Sequence, residues 1–387
     1  MIYYKGNTGN YDRRRRVCLS MVYLDHASAA RPPRAVLEYF YAMQEKAFAN
    51  QEAAHQLGYD ARRKLDAAAA QLAEAFFGSR GGEFAVVWGM SGTELFHLLA
   101  DSPVVAGRRG VSSLLEHPAL TANLHRTAAE FALLRAGRDG ALIPREFPAD
   151  FAAFHLVQSE LGRIQKPEAL FVPFPGAVRI LDAIQAAGRL PLQPGCADFF
   201  LVSGHKFGAP GGAAILVDRH APCAMAFLEF AHRYRHVEYR IGRPEVPVLL
   251  AMAFAAELRC RELRESLERA HRLNGFLRRE LPEIELPGGK RCFCTIPEEA
   301  ASPYILHAMF PGVESGVLVR MLSEAGVMVA AGSACSSETG EPSAALRALG
   351  FRGRDVWSGL RVSLSPESTA DDAKKFVEAL RNVLKNW

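Results

Sequence analysis

The chain has 387 residues, of which 49% are hydrophobic and 23% are charged, and its formal net charge is +4. This length favours two domains, and the composition is typical of a globular protein with a large apolar core. So small a charge predicts no nucleic-acid partner, and the apolar runs are shorter than the roughly 20 residues that a membrane-spanning helix needs.

The first 20 residues contain an arginine run followed by a short apolar stretch, a pattern similar to an exported leader. This stretch, 17–24, contains Ser20 and runs straight into Asp25 and His26, which disfavours export. We interpret residues 1–20 as an extension that is disordered or results from a misassigned start. Seven scattered cysteines without zinc-ligand spacing favour a reducing compartment and no metal site, so the expected location is the cytoplasm.

Apolar runs and helical patterns alternate over most of the chain. Helices are predicted at 35–47, 56–77 and 95–100, and buried strands at 84–88, 154–157, 169–174, 199–202 and 213–217. Strands that are apolar on both faces and alternate with helices indicate an α/β fold with a mostly parallel sheet. Ligands of such sheets bind at the loops that follow the strands.

The pattern changes after about residue 245. A long helical pattern covers 246–281, short strand candidates follow at 291–295, 305–309, 327–329 and 359–364, and a closing helix covers 370–384. These elements predict a smaller α+β domain made of residues 21–32 and 251–387, beside a large domain of residues 33–250.

The segment LVSGHKFGAPGG, at 201–212, places Lys206 after an apolar strand and before a glycine-rich turn. A lysine fixed at a strand end can serve as a Schiff-base amine, because its pKa shifts readily on desolvation. Ser203 and His205 are candidates to bind a phosphate beside it. Taken alone, the segment favours a solvated turn lysine, and other segments reverse this interpretation.

Further segments supply groups that pyridoxal 5'-phosphate (PLP) requires. Asp182 can keep the ring nitrogen protonated and Gln185 can donate to the ring hydroxyl, although Asp182 can also be a helix cap. His117 offers a flat imidazole to stack on a ring, or is structural. Gly92 and Thr93 lie in a turn of small residues that opens a helix, which makes the turn a candidate phosphate cradle.

In this order the segments resemble the cysteine desulfurases, in the class V aminotransferase group of fold-type I PLP enzymes, from Tyr23 over nearly the whole chain. YLDHASAA at 23–30 resembles that family's YLDNAATT, and a segment with Asn50 and His55 resembles its GNPSSxH. SGTE at 91–94, EH at 116–117, VQSELG at 157–162, DAIQ at 182–185 and SGHK at 203–206 resemble its GATE, EH, xNNExG, DxxQ and SGHK. GSACSSETGEPSAALRALG at 332–350 resembles the desulfurase block GSACTS…EPSxVLRALG, and LRVS at 360–363 resembles xRxS.

The resemblance implies a seven-stranded, mostly parallel central sheet with helices on both faces, and a homodimer with a composite active site. It implies that L-cysteine becomes L-alanine while a persulfide forms on Cys335 for an acceptor protein. The implied catalytic residues are Lys206, Cys335 and His117. The implied PLP-binding residues are Gly92, Thr93, His117, Ser159, Asp182, Gln185, Ser203, His205, Lys206 and Arg243, and the implied substrate-binding residues are Asn50, Ser159 and Arg361.

Three features depart from the family pattern. Ser159 stands at the second asparagine of NNE, the stretch from 160 to 182 is abbreviated, and Arg243 replaces the threonine of RSGTxN, a segment that reaches the partner subunit's phosphate. A guanidinium can still bind phosphate, or Arg243 is a surface residue. The alternatives are a selenocysteine lyase or another class V PLP enzyme, and a catalytically weak homologue that binds partner proteins.

Overall fold

The computed structural model describes residues 21–238, 240–332, 341–385 and 387. The predicted extension 1–20 and Cys335 lie outside the described residues. Among the described residues, the strands are β1 Val22–Tyr23, β2 Phe84–Gly89, β3 Arg109–Ser113, β4 Glu130–Leu134, β5 Phe151–His155, β6 Val178–Asp182, β7 Phe199–Ser203, β8 Ala213–Asp218, β9 Glu285–Leu286, β10 Lys290–Arg291, β11 Phe293–Cys294, β12 Ile305–Met309, β13 Val327–Met328 and β14 Gly359–Ser363.

The central sheet has seven strands in the order β2-β8-β7-β6-β5-β3-β4. The pairs β3–β4, β3–β5, β5–β6 and β6–β7 are parallel, whereas β8 is antiparallel to both β2 and β7. In β7, Phe200 and Val202 pack into one apolar cluster and Phe199 and Leu201 into another, so both faces of the sheet are covered. The predicted α/β fold with a mostly parallel seven-stranded sheet is confirmed.

Helices cover the sheet and build the second part of the chain. They span Arg34–Lys46, Gln56–Phe77, Gly92–Asp101, Pro118–Thr127, Pro167–Phe171, Ala224–His236, Val246–Arg261, Leu263–Glu280, Ser315–Glu324, Ala344–Ala348 and Ala370–Lys385. Nowhere in the described ranges does a helix combine the length and apolar character that crossing a bilayer demands.

Two sequence predictions of secondary structure are corrected. The predicted strand at 169–174 is wrong, because Pro167–Phe171 is a short helix that has proline in its first turn and buries Leu170 and Phe171. The pattern over 246–281 forms two helices that meet at Glu262. The first is buried around most of its circumference and the second along one face, so the two helices have different packing partners.

Strands β3, β4 and β6 have no counterpart in the predicted set. Two of these strands contain polar residues, which are Arg109, Ser112 and Ser113 in β3 and Glu130 in β4. They therefore lack the continuous apolar run that marks a buried strand. Only the pairing of these strands with the sheet reveals them.

The second part of the chain has its own small sheet, β11-β12-β14, and its own apolar cluster. That cluster contains Val22, Leu24 and residues between 270 and 384, and β1 pairs in parallel with β13. From β1 the chain crosses to the central sheet, where the Ala30 amide donates to the His205 carbonyl at 2.8 Å. Residues 25–30 therefore run between the two cores. The proposed domain boundaries stay a prediction.

Candidate active site

The parallel strands bring their last residues to one edge of the central sheet. His155 ends β5, Asp182 ends β6 and Ser203 ends β7, and these strands are neighbours. A cavity of about 250 Å³ lies at this edge. The predicted site residues that line it are Gly92, Thr93, His117, Ser159, Asp182, Gln185, Ser203, His205, Lys206 and Arg361.

Lys206 lies in the tight turn Gly204–Lys206 that follows β7. A side chain at Gly204 would place its Cβ 2.2 Å from the Gly211 carbonyl oxygen, so the close approach of the returning chain requires glycine. The Gly204 amide donates to the Gly212 carbonyl at 2.8 Å, which closes the turn. Lys206 Nζ donates to the Ser28 carbonyl at 2.6 Å. A rigid turn therefore positions the Lys206 amine at the cavity.

Asp182 and Gln185 lie on the same wall of the cavity. Asp182 Oδ1 accepts from the Ile184 amide at 2.9 Å, and burial raises the pKa of this carboxyl to about 6. The alternative in which Asp182 caps a helix is wrong, because turns follow it at 184–189. In this buried position the ionised carboxylate of Asp182 is unfavourable unless a cation lies beside it. A protonated ring nitrogen would be such a cation.

A buried arginine fixes the orientation of the Gln185 amide. Arg189, with 1% of its surface exposed, donates from Nη1 to Gln185 Oε1 at 2.8 Å and from Nη2 to the His26 carbonyl at 2.7 Å. Gln185 Nε2 donates to the Ala27 carbonyl at 2.9 Å. The amide nitrogen retains a second proton that can be given to a ligand.

His117 is both structural and part of the cavity. Its Nδ1 accepts from the Ala119 amide at 3.2 Å and so caps the helix Pro118–Thr127. Burial, followed by the positive charge of Lys206, lowers the pKa of His117, which favours the neutral ring. Because Nδ1 accepts a hydrogen bond, the proton of the neutral ring lies on Nε2.

The cavity contains a suitable place for a phosphate. The helix Gly92–Asp101 begins there, and Ser91 caps it by accepting from the Glu94 amide at 3.2 Å. A Cβ at Gly92 would lie 3.1 Å from Ile184 Cδ1, so a side chain would narrow the space beside the helix amides. Across the cavity, Ser203 Oγ lies 3.0 Å from His205 Nδ1, and burial lowers the pKa of His205 to about 4.

Arg361, in β14, enters the cavity from the second part of the chain. Its Nη2 donates to Asp25 Oδ1 and to Ser28 Oγ, both at 2.7 Å, and its Nη1 donates to the Ser159 carbonyl at 2.9 Å. The contact with Ser159 uses the backbone. The hydrogen bond from Arg361 to the carbonyl of residue 159 can therefore form whether that residue is serine or asparagine.

Three predicted site residues are not among those that line this cavity. Asn50 Oδ1 accepts from the Glu52 amide at 3.0 Å, and Arg243 is exposed, with its Nη2 3.4 Å from Glu245 Oε1. Cys335 lies outside the described residues. The flanking residues Gly332 and Glu341 line a second cavity of about 580 Å³, and Ser28 lines both cavities.

Sequence reasoning missed several polar residues at this site. His155 lines the cavity and its Nδ1 lies 2.8 Å from Glu116 Oε1, yet it ends a run that is otherwise apolar and carries no motif. Ser28 lies in the recognised segment 23–30, but it stands at an alanine of YLDNAATT, so the motif did not identify it as a site residue. Arg189 follows Gln185 by four residues. This spacing predicts a contact between the two side chains only when the backbone between them is known to form turns.

These groups fit PLP. The cavity offers a lysine amine, a buried carboxylate for the ring nitrogen, a flat neutral imidazole, a glutamine N–H for the ring hydroxyl and a helix N-terminus for the phosphate. The small residue Gly92 keeps the space at that N-terminus open. The alternative in which Lys206 is merely a solvated turn lysine does not account for this arrangement.

Comparison with known proteins agrees with this chemistry. The family model described as aminotransferase class-V matches residues 22–376. The chain is 27% identical to a cysteine desulfurase of Gluconacetobacter diazotrophicus, over 95% of this chain and 94% of that one. It is 28% identical to an IscS-like cysteine desulfurase of Mycobacterium tuberculosis, over 93% of this chain and 95% of that one.

Solved structures share the fold at lower identity. A NifS-like protein from Rickettsia africae superposes with a TM-score of 0.79 at 20% identity, covering 94% of this chain and 99% of that one. An apo cysteine desulfurase from Thermococcus onnurineus gives a TM-score of 0.75 at 18% identity, covering 97% of this chain and 98% of that one. The resemblance read from the sequence is confirmed at the level of fold and family: this chain belongs to the aminotransferase class-V family.

Proposed function

We propose that the protein is a PLP-dependent cysteine desulfurase that converts L-cysteine to L-alanine and leaves a persulfide on Cys335. The observation that carries this proposal is the convergence of Lys206, Asp182, His117 and Arg361, from separate segments, on one cavity. Cysteine desulfurases are among the relatives of this chain, which supports L-cysteine as the substrate, and members of the family use PLP.

In this proposal PLP is held at points that the chain already provides. PLP supplies an electron sink for the electron pair of a bond to the substrate's α-carbon. Lys206 anchors it, Asp182 keeps its ring nitrogen protonated, and the second amide proton of Gln185 serves its hydroxyl. The phosphate is bound by Gly92, Thr93, Ser203 and His205.

The substrate is oriented by Arg361 and Ser159, which line the same cavity. A guanidinium binds an α-carboxylate through charge-assisted hydrogen bonds. His117 holds a proton on Nε2 in its neutral form, so it can assist proton movement to and from the reacting carbon and sulfur. Asn50 has the same proposed substrate role, but its side chain lies outside the cavity of its own chain.

Cys335 is the proposed acceptor of the sulfur. Its thiolate attacks the substrate sulfur, an S–S bond forms and the C–S bond breaks, and the carbon keeps the electron pair and takes up a proton. The balance is L-cysteine plus the Cys335 thiol giving L-alanine plus the Cys335 persulfide. Among the described thiols, burial raises the pKa of Cys196, Cys223 and Cys260 to about 11 and also raises the pKa of Cys292 and Cys294. These five stay protonated near neutral pH, which supports Cys335 as the nucleophile.

The proposal also includes a homodimer with a composite site, a sulfur-acceptor protein and a cytoplasmic location. Arg243 is exposed and does not line the cavity of its own chain, so a role in phosphate binding requires a second subunit. The scattered cysteines favour a reducing compartment, where a catalytic thiol is maintained.

Two substitutions test the proposal. Lys206→Ala should remove the visible absorbance of the bound cofactor, whereas Cys335→Ala should keep that absorbance and release no sulfide from L-cysteine with dithiothreitol present. Mass spectrometry should find a persulfide on Cys335 of the wild-type protein, and Cys260→Ala is the matched control that retains activity.

The same assays separate the alternatives. Sulfide production by Cys335→Ala at the wild-type rate would show the desulfurase assignment to be wrong. Alanine formed faster from L-selenocysteine or L-cysteine sulfinate than from L-cysteine would favour another class V activity. A purified protein that is colourless and does not bind added PLP would favour a homologue without turnover.

A further inference from the structure

A buried carboxylate to which the proposed chemistry gives no role lies next to the cavity. Glu116, with 7% of its surface exposed, lies between β3 and the helix Pro118–Thr127. Ser113 Oγ donates to Glu116 Oε1 at 2.6 Å, and His155 Nδ1 lies 2.8 Å from the same oxygen. Among the described residues, Glu116 Oε2 has no hydrogen-bond partner. Both contacts therefore converge on one oxygen of this carboxyl group.

The Gln165 amide defines the tautomer of His155. Gln165 Oε1 accepts from the Leu142 amide at 3.3 Å, and its Nε2 donates to the Gly140 carbonyl at 2.8 Å. The second proton of this amide nitrogen is directed to His155 Nε2, which lies 3.4 Å away. A ring nitrogen that faces an N–H group accepts, so the proton of the neutral His155 ring lies on Nδ1 and is donated to Glu116.

These contacts give the pair of Glu116 and His155 one net negative charge. Because Oε1 of Glu116 accepts two hydrogen bonds, a proton on this carboxyl group has to lie on Oε2. Within the described part of the chain that hydroxyl has no acceptor, and an unpaired buried donor is costly. The arrangement therefore favours an ionised Glu116 beside a neutral imidazole.

The pair lies beside Asp182, the carboxylate proposed for the ring nitrogen. His155 ends β5, which lies between β3 and β6 in the sheet, and its Cα is paired with that of Asp182 at the end of β6. Both residues line the cavity, and Glu116 contacts His155 from the loop after β3. Burial, and after it the negative charge of Glu116, raises the pKa of Asp182. A cation beside Asp182 therefore lies in the field of two carboxylates.

We propose that Glu116 and His155 are positioning residues that place a second negative charge behind Asp182 and so favour the protonated ring nitrogen of PLP. This inference rests on the proposed function, because it assumes that PLP binds with its ring nitrogen beside Asp182. In a desolvated site a unit charge acts over several ångströms, so Glu116 can act on the ring nitrogen without touching it. His155 acts through Glu116, because its Nδ1–H stabilises the ionised form of that carboxyl group.

The test compares PLP with an analogue that has carbon in place of the ring nitrogen. The analogue keeps the aldehyde, the hydroxyl and the phosphate, so the ratio of the two dissociation constants reports on the ring nitrogen alone. Both are titrated into the cofactor-free full-length chain at about pH 8, where Asp182 is ionised, and visible absorbance measures binding. Glu116→Gln should reduce the preference for PLP over the analogue by about tenfold.

Two substitutions of His155 separate its N–H from its bulk. His155→Leu removes the donor, so Glu116 takes up a proton more readily and the preference for PLP should fall. His155→Gln offers an amide N–H in its place and should restore most of the preference. Glu268→Gln is the matched control, because it makes the same change in an exposed ion pair with Arg264 and should leave the preference unchanged.

A preference in Glu116→Gln that stays within about twofold of the wild-type value overturns the proposal. If Glu116→Gln does not fold, the preference of His155→Leu decides in the same way. An equal fall in His155→Leu and His155→Gln contradicts the role of the His155 N–H. Failure of the proposed function has a different result: if PLP gives no visible absorbance with the wild-type chain, both proposals fall. If PLP binds and only the preference is unchanged, the proposed function stands and the role of Glu116 does not.

Discussion

Burial sets the charge states of single residues around the cavity. Burial raises the pKa of Asp182 from 3.8 to about 6, because the ionised carboxylate loses its hydration. The folded state therefore binds more protons than the unfolded state between these pH values, and the free energy of unfolding falls as pH rises from 3.8 to 6. Above pH 6, burial of the ionised carboxylate lowers the free energy of unfolding by roughly 3 kcal/mol, the value for a pKa shift of this size.

We expect Asp182→Asn to stabilise the cofactor-free protein at pH 8 by roughly 2–3 kcal/mol and by less at pH 5. The asparagine oxygen can keep the bond from the Ile184 amide, so the change removes mainly the charge. Denaturant unfolding at the two pH values measures the effect, with Asp139→Asn, at a half-buried carboxyl, as the control. An equal gain at both pH values would contradict a charge effect. The same variant should bind PLP more weakly.

At the scale of elements, the N-terminus of the helix Gly92–Asp101 forms part of the cavity wall. Ser91 caps it, and the first residues of the helix line the cavity. Helix N-termini favour anions because their amides are unsatisfied and the helix dipole adds to them. Under the proposed function, the stability of this helix end and the affinity for the PLP phosphate therefore depend on the same residues.

Ser91→Ala should lower the free energy of unfolding by about 1 kcal/mol, because the Glu94 amide loses its acceptor. It should also weaken PLP binding about fivefold. Thr369→Ala is the control, since the Thr369 hydroxyl accepts from the Asp372 amide at the start of a helix far from the cavity. Thermal unfolding and PLP titration separate the two effects. Equal PLP affinity in both variants would show that the helix does not bind the phosphate.

At the scale of the whole molecule, the proposed composite site makes a prediction about subunits. Arg243 does not line its own chain's cavity, so it can act only across an interface. Lys206→Ala and Arg243→Ala are each expected to bind PLP poorly. A mixed dimer of the two variants contains one site with both Lys206 and Arg243 intact. Because about half of the dimers formed from equal amounts are mixed, mixing should restore PLP absorbance to about a quarter of all sites. No recovery on mixing, with dimers present by ultracentrifugation, would assign the sites to single chains.

The local sequence pattern predicted much of the fold because buried positions recur at regular intervals along helices and strands. The helix Gln56–Phe77 and strand β12 match their predicted bounds, since apolar spacing alone defines them. The segment Pro167–Phe171 was predicted as a strand but is a helix. Strands β3, β4 and β6 were missed because polar residues such as Ser112, Glu130 and Arg179 interrupt their apolar runs, and only sheet pairing identifies them. For the site, the motifs predicted ten residues of the cavity but missed His155 and Ser28, which also line it, and Arg189, which donates to Gln185.

By itself, the sequence determined the fold class, the family and the identity of Lys206, Asp182 and Arg361 as candidate residues, because short motifs and apolar periodicity are local properties. Lys206 as a turn lysine or as a cofactor anchor was a question that local pattern left open. The tertiary structure decided where Lys206 lies, because only the parallel order of β5, β6 and β7 brings the ends of distant segments to one edge. Its place beside Asp182 and His117 supports the proposed role as a cofactor anchor. The pairing of Arg361 with Asp25 is likewise a tertiary fact, since 336 residues separate the two and only the packing of β14 beside the N-terminal segment joins them.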